Sequence, residues 1–126
     1  PMVQGVLTGK YLPGQPAPAG SRATDAGGAR MIERWMRDDV LNAVQNLKPI
    51  AAELGISMGQ LAIAWVLKNP NVASAIVGAS RPDQIVDNIK AIDVVLDDAV
   101  MKKIDDVVAS VIERDVKQTV SPNPRA

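Results

Sequence analysis

The sequence contains no cysteine and no histidine. Without cysteine there is no disulfide framework and no thiolate site. Without histidine the commonest zinc sites and the usual general base are excluded. No metal site is expected. An excess of charge is missing too, because 14 Lys and Arg balance 14 Asp and Glu. Nucleic-acid phosphates call for a basic face, so no nucleic-acid partner is expected. No apolar run reaches the roughly 20 residues of a membrane span, and the first ten residues lack the basic start and apolar stretch of a signal peptide. No membrane association is expected, and the expected location is cytoplasmic. A single tyrosine, Tyr11, is present.

What remains is an ordinary globular composition. The 126 residues, 47% of them hydrophobic, suit one domain or part of a larger one. The opening Pro1-Met2-Val3 reads as the interior of a longer chain.

Residues 2–7 carry a strand pattern interrupted by Gly5. Residues 12–30 are crowded with Gly, Pro and Ala and predict a long mobile loop of the kind that serves as a lid. From Met31 to Leu54, Val40, Leu41, Val44, Leu47, Ala51 and Leu54 recur at three- and four-residue steps and predict helix. Pro49 kinks or divides that helix, and Gly55 follows as its terminator. Ser57 and Gln60 have capping-box spacing and open a helix that is apolar nearly all round and ends at Pro70. Residues 73–77 predict a short strand buried on both faces. Helices follow over residues 81–91 and 98–111, the second capped by Asp97. Its apolar face is Val100, Ile104, Val107, Val108 and Val111, and residues 112–126 form a tail.

The junction "IVGASRPDQIVDN" carries the clearest chemistry. A helix start presents free amides and partial positive charge, which suits a phosphate. Gly78 allows close approach to the backbone, Ser80 offers a hydroxyl, and Arg81 offers a two-pronged cationic contact. Gln84, Asp87 and Asn88 share one helix face behind that seat, while Ile85, Ile89 and Ile92 share another that can pack inward. The pattern fits a nucleotide. It also fits an ordinary capped helix, since Ser80 and Asp83 have capping-box spacing and Pro82 is at ease in a first turn.

Three segments in order, "PMVQGVLTGKY", "IAAELGISMGQLAIAWVLKNP" and "AIVGASRPDQIVDNIKAI", resemble the C-terminal part of aldo-keto reductases. The resembling branch is the one shared by bacterial members and potassium-channel β subunits, and the resemblance covers roughly residues 1–110. It implies an α/β fold: the C-terminal portion of a (β/α)8 TIM barrel, with strands 7 and 8 at residues 2–7 and 73–77 and flanking helices, helix-rich as a fragment. Residues 1–126 would be the C-terminal part of one barrel domain, residues 12–30 its cofactor lid and 112–126 its tail. The implied activity is reduction of aldehydes and ketones to alcohols with NADPH.

The resemblance also implies the contacts. Pro1, Met2, Val3 and Gln4 match the segment along the nicotinamide ribose and pyrophosphate, and Lys10 matches a lysine that reaches the cofactor phosphates. Arg22 matches an arginine of the loop over the pyrophosphate. Gly78, Ser80, Arg81 and Gln84 match the seat of the adenosine 2′-phosphate, and Asp87 and Asn88 match an acid and an amide that hold the adenine. Two positions depart from the pattern: Gly20 stands where an aromatic is frequent, and Asp87 where glutamate is commoner. The family's catalytic tyrosine, lysine, aspartate and histidine are expected upstream and absent here, so no catalytic residue is assigned. Tyr11 lacks the supporting constellation of a general acid. Trp35 and Trp65 are expected to serve packing, and residues Arg30, Glu33, Arg34, Arg37, Asp38 and Asp39 a solvated face. A small carbonyl substrate is implied for a complete enzyme. The alternatives are a non-catalytic chain that self-associates and a regulatory subunit that senses the cofactor.

Overall fold

The computed structural model describes residues 1–113. Six helices carry the fold: α1 (Ala26–Ile32), α2 (Asp38–Asn46), α3 (Lys48–Glu53), α4 (Met58–Leu67), α5 (Pro82–Ile89) and α6 (Asp98–Val108). Short 3-10 turns precede or join them at Val3–Thr8, Arg22–Thr24, Glu33–Trp35 and Lys90–Asp93.

The local signals act where they were read. The helical stretch from Met31 to Leu54 is divided, with Pro49 in the first turn of α3, where its missing N–H costs nothing. It also begins earlier than the periodicity indicated, because Asp25 accepts a hydrogen bond from the Gly28 amide and starts α1 inside the Gly-rich loop. Gly55 adopts φ 67° and closes α3 through Gly55 N–H to Ala52 O and Ile56 N–H to Ala51 O. Ser57 and Gln60 form the reciprocal capping box that opens α4. Asp97 caps α6 by accepting from the Val100 amide at 2.8 Å. The tail from residue 114 lies outside the described residues.

Two expected strands do not form, and among the described residues there is no strand. The segment at residues 2–7 is instead a kinked 3-10 turn, with Val3 at φ 47°, Gln4 at φ 54° and Gly5 at φ 100°. Three consecutive left-handed residues cannot lie in a pleated strand. The segment at 73–77 is extended but makes no ladder, and Ile76 is 89% exposed rather than buried. An apolar pattern marks what a strand could bury, but its N–H and C=O groups need a neighbouring strand, and no described segment supplies one. Among the described residues the helix-rich part of the expected architecture is present, without the strands of the barrel. The inward packing expected of Ile85, Ile89 and Ile92 is also absent, since each is more than half exposed.

Two apolar clusters hold the helices. One joins Leu47, Ile50 and Ala51 to Leu61 and Ala64 of α4, Leu96, and Val100 and Ile104 of α6. The other joins Val6, Tyr11, Ile32, Leu41 and Val44. Each fully buried Leu or Ile contributes about 1.5–3 kcal/mol relative to exposure. Met58, at the start of α4, packs against both clusters. Trp35 packs on the second cluster, whereas Trp65 is 39% exposed. Arg30, Glu33, Arg34, Arg37, Asp38 and Asp39 are exposed, as their charge pattern predicts. Among the described residues no single helix is long and apolar enough to cross a membrane.

Loss of the α6 cap is expected to be measurable. Asp97→Ala should destabilise the chain by about 1 kcal/mol, and Asp98→Ala, one residue on and exposed, by under about 0.5 kcal/mol. Urea unfolding of the two variants checks the difference.

Candidate cofactor-binding site

An open cleft of about 1180 Å³ lies between the first turn, the loop carrying Arg22, the start of α4 and the face of α5. Ligand pockets commonly span about 300–1,000 Å³, so this one suits a large, extended ligand. Every residue matched to the cofactor lines it. Pro1, Met2, Val3 and Gln4 form one wall, Lys10 and Arg22 another, and Gly78, Ser80, Arg81, Gln84, Asp87 and Asn88 the third. They come from segments up to 87 positions apart in the sequence, Pro1 to Asn88.

The first wall is the left-handed turn at Val3–Gly5. Gly5 N–H and Leu7 N–H both donate to Met2 O, and the Thr8 hydroxyl donates to Gly5 O at 2.7 Å. Positive φ at a β-branched residue is unfavourable by about 1–3 kcal/mol, so this network maintains a shape the chain does not prefer. Gly5 leaves room for Lys10: a Cβ there would stand 3.2 Å from its Cε and Nζ. The Lys10 ammonium lies 5.2 Å from the centre of the Tyr11 ring.

Tyr11 itself does not line the cleft. It is 1% exposed, and its hydroxyl accepts from the Ala23 amide at 3.4 Å. It is therefore a strut under the loop that carries Arg22. Gln45 ties the same region to α2, its side-chain N–H donating to Gly9 O and Tyr11 O. Farther along the loop, the Gly14 amide donates to the Asp38 carboxylate at 3.0 Å. Arg22 is set by Gly28, where a Cβ would fall 2.5 Å from Arg22 Cγ and 2.7 Å from Arg22 O.

At the third wall Arg81, not Ser80, occupies the N-cap position of α5, and its side chain makes no capping hydrogen bond. Ser80 donates through its amide (2.8 Å) and its hydroxyl (3.2 Å) to the side-chain oxygen of Gln84. The Arg81 guanidinium donates to the Asp83 carboxylate at 3.2 and 3.3 Å, both side chains being exposed. That hydrogen bond from Arg81 holds the Asp83 carboxyl below the usual carboxylate range. The donors of the seat thus already face oxygens of the chain itself.

Sequence reasoning missed the contribution of α4. Ser57, Met58 and Gly59 also line the cleft, as do Asp25 and Asp83. Ser57 and Gln60 were legible only as a helix cap. The signal that could have been used is the amide N–H₂ of Gln60, which a capping box leaves over for another partner.

A family model described as "Aldo/keto reductase family" matches residues 1–109. A "Probable voltage-gated potassium channel subunit beta" of Oryza sativa subsp. japonica is 50% identical over 112 residues, 87% of this chain and 34% of the relative. A "Putative voltage-gated potassium channel subunit beta" of Schizosaccharomyces pombe is 38% identical over 109 residues, 85% of this chain and 32% of the relative. An "L-glyceraldehyde 3-phosphate reductase" of Escherichia coli (strain K12) is 35% identical over 92 residues, 73% of this chain and 27% of the relative. The chain spans about a third of the length of the curated relatives it matches.

Two outcomes are expected. Gly28→Ala should destabilise by about 1–3 kcal/mol, because the added methyl meets backbone that cannot yield, whereas Gly27→Ala, with only Asp25 Oδ2 at 3.5 Å, should stabilise by up to about 1 kcal/mol. Urea unfolding reads both. Asp83 should titrate below an ordinary aspartate, and Arg81→Ala should raise it, because the hydrogen bond from Arg81 is the largest cause of the lowering. A lowered folded-state pKa favours the folded chain above the unfolded value, and that contribution disappears as pH falls through the folded one. Carboxyl carbon NMR across acid pH checks this.

Proposed function

The chain belongs to the aldo/keto reductase family, and from that premise we propose that it forms the NADPH-holding part of an oxidoreductase that reduces aldehydes and ketones to alcohols. Family membership supports the oxidoreductase class. The observation that carries the finer reading is the convergence of all the cofactor-matched residues on one cleft of dinucleotide size. The residues fit the ligand chemically. Lys10, Arg22 and Arg81 supply cations for phosphates, the Ser80 amide and hydroxyl supply neutral donors, and Gly78 leaves open space. Gln84, Asp87 and Asn88 border the end where an adenosine would lie.

The cofactor, when bound, supplies the hydride. The residues of this chain bind and orient: the turn at Val3–Gly5 shapes the ribose end, Lys10 and Arg22 neutralise the pyrophosphate, and Arg81 takes the 2′-phosphate. The proton donor and its supporting lysine, aspartate and histidine lie outside this sequence in this reading. Its one tyrosine is buried away from the cleft and it has no histidine. Residues 1–126 then form the C-terminal portion of a barrel domain, with residues 12–30 as a lid over the pyrophosphate and a small carbonyl compound as substrate. The cytoplasm is the proposed location.

A second reading is a cofactor-sensing regulatory subunit. It is favoured by the 50% identity to a channel β subunit, and by the exposed apolar residues Ile85, Val86, Ile89 and Ile92, which offer a face for association. The same cleft would then report cofactor state to a partner.

Arg81→Ala should weaken NADPH binding about 10–100-fold, the worth of charge-assisted contacts of about 1.5–3 kcal/mol, and leave NADH within about 2-fold. Titration calorimetry with both cofactors tests this. Equal losses would remove the 2′-phosphate from Arg81.

A further inference from the structure

Resting on the cofactor reading above, we infer that Asp87 and Gln60 are positioning residues that lock the ligand face of α5 onto the start of α4, and that the adenine contact falls to Asn88 alone. The resemblance gives Asp87 a base-holding role. The geometry gives its carboxylate other work. Asp87 Oδ1 accepts from the Gln60 side-chain N–H at 2.9 Å, and Oδ2 accepts from the Ser57 hydroxyl at 3.2 Å. The same Gln60 nitrogen also donates to the Asp87 carbonyl at 2.9 Å. Lys90 approaches Oδ1 from the other side at 4.0 Å.

Gln60 closes the circuit. Its side-chain oxygen accepts from the Ser57 amide at 3.0 Å, and its own amide donates to Ser57 Oγ at 3.2 Å. Ser57, Gln60 and Asp87 therefore form a closed ring of hydrogen bonds across two helices. Gln60 is only 6% exposed, so an unpaired amide there would be costly, and the ring has one satisfied arrangement. Aspartate suits this ring because its short side chain stays against α4, where a glutamate would reach one methylene farther into the cleft. The Asn88 side chain, next along α5, makes no hydrogen bond among the described residues; it lines the cleft beside Gly59, where an added Cβ would stand 3.9 Å from Asn88 Oδ1.

The test separates base contact from positioning with two ligands: NADPH and its hypoxanthine analogue, which lacks the 6-amino group of adenine. Gln60→Leu and Asp87→Ala should each weaken both ligands about 10-fold, by the same factor, and the double variant should be no worse than either single. The preference between the two bases should survive in every one of them. Asp87→Asn keeps an oxygen for Gln60 and should restore affinity to within about 3-fold. Should Gln60→Leu not fold, the Asp87→Ala and Asp87→Asn pair carries the same comparison. Loss of the base preference in Asp87→Ala overturns the inference, because the carboxylate would then touch adenine. Unchanged affinity in both single variants overturns it as well, leaving the cofactor reading in place. Failure of the unaltered protein to bind NADPH overturns the cofactor reading and this role with it.

Discussion

A glutamine amide buried at the start of α4 connects the helical core to the cleft. Its oxygen and backbone amide complete the cap that begins α4, and its N–H₂ group grips Asp87 on α5. The cap is worth about 1 kcal/mol to α4 by itself. Joined to Asp87, it also decides where α5 stands, because α5 buries none of its own residues and keeps Ile85, Val86 and Ile89 in solvent. Polar bonds, not apolar burial, register that helix. Directional bonds of this kind fix an orientation more sharply than a non-directional apolar contact does.

What was legible in the sequence follows the range of the interaction. The capping box at Ser57, the cap at Asp97 and the stop at Gly55 involve groups within five residues of each other, and the structure has all three. The division at Pro49 is a property of proline itself. Strand pairing is different, since the same apolar run at 73–77 is a strand only beside another one. The turn at Val3–Gly5 was legible only as a break at glycine; the positive φ of Val3 and Gln4 has no signature in residues that normally avoid it.

The site shows the same split. Gly78, Ser80, Arg81 and Gln84 lie within seven consecutive positions, so their common seat could be read directly. The wall built from Pro1 to Gln4, Lys10 and Arg22 was reached through the family resemblance, and the structure places it on the same cleft. The α4 contribution escaped both routes, because the Gln60–Asp87 bond spans 27 positions and the residues at its two ends each have a sufficient local explanation.

The paired donors of the seat carry one more consequence. Ser80 and Arg81 are already engaged by Gln84 and Asp83. An arriving phosphate therefore trades places with a carboxylate and an amide oxygen; it does not dock onto bare cations. Salt weakens the exposed Arg81–Asp83 pair and the new contact alike. In the proposed reading, the exchange at Arg81 would therefore depend less on ionic strength than capture by an unpaired guanidinium would.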